Sequence, residues 1–412
     1  MKRAFLTLAV IAGIATMGLA DEFAADMGEG AAAEGVAGRT TVYSFFVNVV
    51  DENFRFPLIG FFNMALGNHA LPQIGFVNHN TGDFTSVQTG FINTIGGDFS
   101  GLQFGMVNTS VGYTSGMQFG FVNTSGGDAR GAQISMVNTA GGDFFGLHAG
   151  FINTAFGSVS GAQIGIVNTS IGDMRSAQIG YINTSLGDTS GAQVGIVNTS
   201  RGEMRGAQIG FINTASRGGR LPQIGLVNTS SGPLTGTQFG FINFAESIED
   251  GIPIGFISIV RNGGFRAVEY TFSEFFPVSV SLRLGVERFY STLLVAYDVT
   301  GDRVWENFVT GFGIGSIIPM GESFFMNPEL IAFYPVRLEQ DDDPLRQVLS
   351  FAPLVGFNIN AHFSVTAGPT VTWSTAPNAD ERQDPIFSIM THDINSRHSI
   401  VVGARAGLRF RF

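Results

Sequence analysis

Ala162-Gln163-Ile164-Gly165-Ile166-Val167-Asn168-Thr169-Ser170-Ile171-Gly172-Asp173 is one copy of a unit that returns every fifteen residues. Its Asn recurs as Asn63, Asn78, Asn93, Asn108, Asn123, Asn138, Asn153, Asn168, Asn183, Asn198, Asn213, Asn228 and Asn243, and the next step lands on Ser258. A Gln stands five residues earlier, as in Gln73, Gln88, Gln103, Gln118, Gln133, Gln163, Gln178, Gln193, Gln208, Gln223 and Gln238. His148 fills that slot once, and Leu58 and Pro253 fill it in the end units. Gly precedes the Asn by three in every unit except at Ser135, and a second Gly, usually with Asp, follows by four, as in Gly82-Asp83. Self-similarity at a fixed short period marks a stacked array, in which each unit buries itself only against its neighbours.

Within one unit the alternation is that of a strand. Counted strictly, Ala162, Ile164 and Ile166 share one face, and Gln163, Gly165 and Val167 share the other. The first face is apolar in nearly every unit and includes Phe76, Phe91, Phe121, Phe151 and Phe211. Thr169 to Asp173 reads as a turn: hydroxyl and carboxylate groups bond nearby backbone, and Gly adopts positive φ freely. A seven-residue strand must stack on its copies. A parallel β-solenoid, with one coil per unit, aligns every Asn and Gln in ladders spaced about 4.8 Å apart. An antiparallel meander is possible but would put successive Asn at opposite ends and remove the reason for their recurrence. The solenoid is favoured.

The composition agrees. Of 412 residues, 44 % are apolar and only 13 % charged, against about 25 % in an ordinary chain. Gly numbers 56 and Phe 40. This excludes a disordered chain and a helical bundle. The absence of Cys excludes disulfides, thiolate metal sites and a Cys nucleophile. A net charge of −11 speaks against a nucleic-acid partner. Lys2-Arg3, the apolar run Ala4 to Met17 and the small residues Gly18 and Ala20 read as a cleaved export signal over 1–20. Residues 21–40 read as a flexible acidic linker, 41–57 as a lead-in strand, and 58–258 as the repeat domain.

Residues 259–412 read as a membrane β-barrel of about eight antiparallel strands. Near the C-terminus Ile400, Val402, Ala404, Ala406, Leu408, Phe410 and Phe412 share one face, with Ser399, Gly403, Arg405, Gly407, Arg409 and Arg411 on the other. Val278 to Val286 alternates against Ser279, Ser281 and Arg283, and Phe363 to Trp373 against Ser364, Thr366, Thr370 and Thr372. Polar-in and apolar-out is barrel chemistry in lipid. Connections alternate between short (287–288, 319–322, 361–362) and long and polar (336–347 with Asp341-Asp342-Asp343, 375–396 with Asp380-Glu381). Leu408, Phe410 and a final Phe412 resemble the C-terminal signature of bacterial outer-membrane barrels.

The run GAQIGIVNTSIGDMRSAQIGYINTSLGD, residues 161–188, resembles the bacterial surface-repeat proteins of spirochaetes and their relatives, with tandem G-x-Q-x-G-x-x-N units. DGIPIGFISIVRNGGFRAVEY, residues 250–270, is similar to the repeat-to-tail junction of comparable Gram-negative proteins. The resemblance implies an envelope or surface location and no catalytic residues.

The remaining candidates read as structural. Asp83, Asp98, Asp128, Asp143, Asp173 and Asp188 offer one carboxylate per unit, which suits turn capping better than a calcium ladder. The Asn-Thr-Ser triplets belong to the ladder and turn rather than to glycosylation. No His pair has ligand spacing. Arg283, Arg405, Arg409 and Arg411 are expected to pair with Glu287 or Glu329 inside the barrel. Neither a metal, a cofactor nor an enzyme activity is expected. The expected partners are outer-membrane lipid, the barrel-assembly machinery and a protein ligand of the envelope or exterior. The expected role is structural or interactive at the outer membrane or surface. A porin-like channel that includes the repeat strands, or a soluble exported repeat protein, would be the alternatives.

Overall fold

A computed structural model describes residues 41–220, 222–297, 308–335, 347–375 and 385–412. The leader over 1–20, the linker over 21–40, Asp341-Asp342-Asp343 and Asp380-Glu381 lie outside the described residues. Among the described residues every helix or strand assigned is a β-strand. The chain forms two compact units, divided between Arg217 and Gly218.

The N-terminal unit is a parallel β-solenoid. In the coil 99–113, strands Phe99–Phe104 and Val107–Ser110 pair with the same positions one unit later, Thr114–Phe119 and Val122–Ser125. Each residue meets its equivalent fifteen places on, Gln103 opposite Gln118 and Asn108 opposite Asn123. This register rules out the meander. From Val159–Ser170 onward the two strands of a coil run together. The register begins one coil before 58: Val47–Asp51 already pairs in parallel with Phe62–Leu66, Asn48 opposite Asn63.

The faces differ from strict alternation. Gln163 and Asn168, five apart, would lie on opposite sides; both are buried, whereas Ile164 and Ile166 are exposed. The reason is the corner at Gly165-Ile166, which changes the parity between the two halves of the coil. A side chain has no room there: a Cβ at Gly165 would stand 2.1 Å from the Gly150 carbonyl oxygen and 2.7 Å from Asn153 Nδ2. Thr169 and Ser170 belong to the strand, with Ser170 inward, so the turn is shorter than the sequence suggests. The residue after the Asp slot also points inward, as Phe84, Phe99, Phe144, Val159 and Met174. Phe84 and Phe99 stack with ring centroids 6.4 Å apart. The coil interior is therefore mostly amide, small residue and one apolar plug, while the large apolar rows face outward.

The C-terminal unit opens with three more parallel strands, Gln223–Leu234, Thr237–Ile248 and Ile252–Asn262. The repeat strand thus runs on to Asn262, four residues past Ser258. Eight antiparallel strands follow: β1 Phe265–Ser273, β2 Val278–Val286, β3 Phe289–Tyr297, β4 Phe308–Gly315, β5 Phe324–Pro335, β6 Gln347–Asn358, β7 Phe363–Thr375 and β8 His398–Arg411. Each pairs with the next, and β8 pairs with β1, so the barrel closes without the repeat strands. Short strands Ile318–Pro319 and Met390–Asp393 lie beside β5 and β8. The barrel is polar inside and apolar outside. Tyr270, Val280, Val371, Trp373 and Leu408 are exposed; Glu269, Ser281, Arg283, Thr372 and Arg409 are buried.

Candidate functional site

The repeat stack is held by two amide ladders of opposite polarity. Each Asn donates forward: Asn93 Nδ2 to Asn108 Oδ1 at 2.8 Å, Asn153 to Asn168 at 2.8 Å, and Asn168 to Asn183 at 2.9 Å. The ladder takes in Asn48, Asn63, Asn78, Asn93, Asn108, Asn123, Asn138, Asn153, Asn168, Asn183, Asn198 and Asn213 in the first unit. In the second unit Asn228 donates to Asn243 at 2.9 Å. Each Gln donates backward: Gln103 Nε2 to Gln88 Oε1 at 2.8 Å, Gln118 to Gln103 at 2.7 Å, Gln133 to Gln118 at 2.6 Å. Beyond His148 the same bonds join Gln163, Gln178, Gln193 and Gln208.

The second N–H of these amides serves the backbone. Asn168 Nδ2 also reaches the Ile179 carbonyl at 3.0 Å, and Gln178 Nε2 the Thr184 carbonyl at 3.1 Å. A buried amide is expensive unless paired, so residues that satisfy both ends recur unchanged. The Asp row caps a neighbour rather than its own turn: Asp83 Oδ1 accepts the Asp98 N–H at 2.8 Å, Asp98 that of Tyr113 at 2.7 Å, and Asp128 that of Asp143 at 2.8 Å. Asp173 and Asp188 do the same for the next coil.

Two coils depart from the pattern. At His148 neither ring nitrogen has a partner, and Gln133 Oε1 is left without one. The ring lies on Phe144, with centroids 3.6 Å apart, and burial pushes its pKa down to about 3. At Ser135 the hydroxyl donates to Asn138 Oδ1 at 2.8 Å, and the Asn123–Asn138 rung lengthens to 3.2 Å.

In the barrel, charged side chains fill the lumen. Arg283 forks onto Glu329, Nε to Oε1 at 2.8 Å and Nη2 to Oε2 at 3.1 Å, and its Nη1 lies 2.9 Å from Glu269. Arg409 Nε donates to Glu269 at 2.7 Å, and Arg405 pairs with Glu329. Tyr290 donates to Glu329 at 2.6 Å, and Asn327 accepts from Arg409. Arg411 meets Glu287 at 2.9 Å nearer the rim. On one side of this cluster Arg409 and Arg411 lie over the Phe265 and Phe325 rings. Elsewhere inside, Phe275, Phe276, Leu294, Ile331, Phe333 and Val401 form an apolar cluster. Glu287 and Glu329 were legible as Arg partners. Glu269, Tyr290 and Asn327 were not singled out, although the alternation of Ala267, Glu269 and Thr271 places Glu269 inward.

Leu408, Phe410 and Phe412 point away from the lumen and are exposed. A cavity of about 390 Å³ opens beside Arg266, Glu287, Arg288 and Arg411. Among the described residues no group of three or more His, Cys, Asp or Glu is placed to hold a metal ion. Comparison with protein-family models, curated proteins and solved structures finds no match to the chain.

Proposed function

We propose that this is a non-catalytic repeat protein of the bacterial envelope, held in the outer membrane by its C-terminal barrel. Its role would be structural or interactive. The observation that carries the reading is the inversion of the barrel: charged and hydroxyl side chains inside, and Tyr270, Phe351, Val371, Trp373 and Phe410 exposed outside. In water that outer wall would be an extended apolar patch; in lipid it is the stable arrangement. The export signal read over 1–20, the resemblance to surface-repeat proteins and the aromatic pattern Leu408, Phe410, Phe412 point the same way. That last pattern would engage the barrel-assembly machinery.

The barrel topology favours a side for the repeats. The connections after β2, β4 and β6 span 287–288, 316–323 and 359–362, against 274–277, 298–307, 336–346 and 376–397 after β1, β3, β5 and β7, so the first end carries the shorter set on the whole. Phe412 and the entry into β1 share the short-turn end, where the Phe412 N–H reaches the Arg266 carbonyl at 3.2 Å. Outer-membrane barrels keep short turns in the periplasm, which supports periplasmic repeats. Protease shaving of intact cells tests this, with one epitope after Gly127 and another in the 375–396 loop. The reading expects the loop signal to be lost and the repeat signal to survive until the membrane is opened. Loss of both would place the repeats outside. Recovery of the chain in buffer without detergent would refute the anchor. The ion cluster across the lumen argues against a channel, and single-channel recording should find no steady conductance.

A further inference from the structure

We infer that the repeats carry a lipid-binding ridge along their rows of apolar corners. The inference rests on the membrane reading of the barrel. Two positions in each coil flank the Gly corner, those of Ile164 and Ile166. Both rows are exposed: Ile74 at 46 % and Ile164 at 43 % in one, Phe121 at 47 % and Phe211 at 63 % in the other. From 58 to 258 no unit places a charged residue at either position. Charge sits elsewhere on the coil: Asp98, Asp128 and Asp173 cap the next coil, and the strand residues Arg130 and Glu246 lie outside these two rows. Each coil is thus amphipathic in cross-section, and stacking turns one apolar corner into a continuous ridge. Phe61, Phe76 and Phe91 stack along it with centroids 4.9 and 5.0 Å apart and planes within 5°.

The identity of the occupant comes from the C-terminal unit. There Phe241 stacks on Phe256 at 4.8 Å, and Phe256 stacks at 4.8 Å on Phe312, which belongs to barrel strand β4. Phe312 lies on the outward side of that strand, in step with exposed Ile314, and acts as the next rung of the aromatic row. Within the C-terminal unit the aromatic row therefore runs without a break into the barrel wall. A surface shared with a lipid-facing wall, apolar in every coil but for Thr89 and free of charge, fits acyl chains. A second protein copy would bring no reason for this continuity.

The test uses native and introduced tryptophan in the full chain, reconstituted in vesicles with bromine on the acyl chains. With Trp305→Phe, Trp373 reports on the barrel wall. In a Trp305→Phe, Trp373→Phe background, Ile166→Trp and Phe241→Trp report on the ridge, and Ile171→Trp reports on an exposed turn. The expected result is that both ridge reporters are quenched at least half as strongly as Trp373, with no quenching at the turn. Quenching at Trp373 without quenching on the ridge would overturn this inference and leave the barrel reading intact. A blue-shifted, unquenched ridge that cross-links between chains through Ile166→Cys would identify a second copy as its occupant. A quenched ridge with unquenched Trp373 would overturn the barrel reading instead, and quenching at neither would overturn both.

Discussion

Replacing His148 by Gln should stabilise the protein and remove an acid sensitivity built into one coil. His148 interrupts the Gln ladder between Gln133 and Gln163, and its two ring nitrogens and Gln133 Oε1 are buried without partners. A Gln there reaches back to Gln133 as Gln133 reaches Gln118, at about the same 2.6 Å. It also offers its own carbonyl to Gln163, whose Nε2 now donates to the Thr169 carbonyl at 3.2 Å. Two regained bonds at about 1 kcal/mol each, less the lost ring contact with Phe144, leave about 1–2 kcal/mol. The pH term adds to this. Burial lowers the His148 pKa from its ordinary 6.5 to about 3. The unfolded chain therefore takes up a proton that the folded chain refuses. Stability from this residue is complete above about pH 6.5 and is lost as pH falls toward about 3. At pH 5 the loss is about 2 kcal/mol relative to pH 8. The assay is hydrogen exchange across 133–163 at pH 5 and pH 8, corrected for intrinsic rates, which reads opening of these coils directly. His148→Gln should slow exchange at both pH values, and more at pH 5. Equal protection of the two proteins at both pH values would refute the argument, as would faster exchange in the variant.

Three further changes probe the same forces. Asn168→Ala removes the rung from Asn153 and the rung to Asn183; a loss of about 3 kcal/mol, largely from the unpaired Asn183 carbonyl, should appear as exchange centred on 153–183. Gly120→Ala would bring a methyl within 2.3 Å of the Gly105 carbonyl oxygen and should cost about 1–3 kcal/mol in a urea titration. Gly120→Ser should cost less, because a hydroxyl at that corner can bond the Asn as Ser135 does. Glu329→Gln leaves Arg283 and Arg405 short of a counter-charge in a buried lumen. The barrel should lose about 3–5 kcal/mol, read as a lower temperature for its heat-induced mobility shift on gels.

The period, the ladders and the barrel were legible because each leaves a linear trace. A fixed spacing of Asn and Gln favours parallel stacking over a meander, and Arg405, Arg409 and Arg411 alternating with Leu408, Phe410 and Phe412 favours a polar interior. The faces of the coil were not legible. Gly165 reads equally well as a strand residue or a corner, and only the corner brings Gln163 and Asn168 to the same side. For the same reason the inward plugs Phe84, Phe99 and Phe144 hid behind a Gly-Asp turn signal. The ion network was half legible: Arg on an inward face demands carboxylates, but which Glu answers depends on strand register, and Glu269 lies 140 residues from Arg409.

The central claim is that the apolar wall of the barrel faces lipid. Trp373 lies on that wall, 40 % exposed and stacked on His398. In the Trp305→Phe chain, reconstituted in vesicles with bromine on the acyl chains, its emission should be blue-shifted and strongly quenched. Emission near that of water-exposed tryptophan, unchanged by the brominated lipid, would contradict the account.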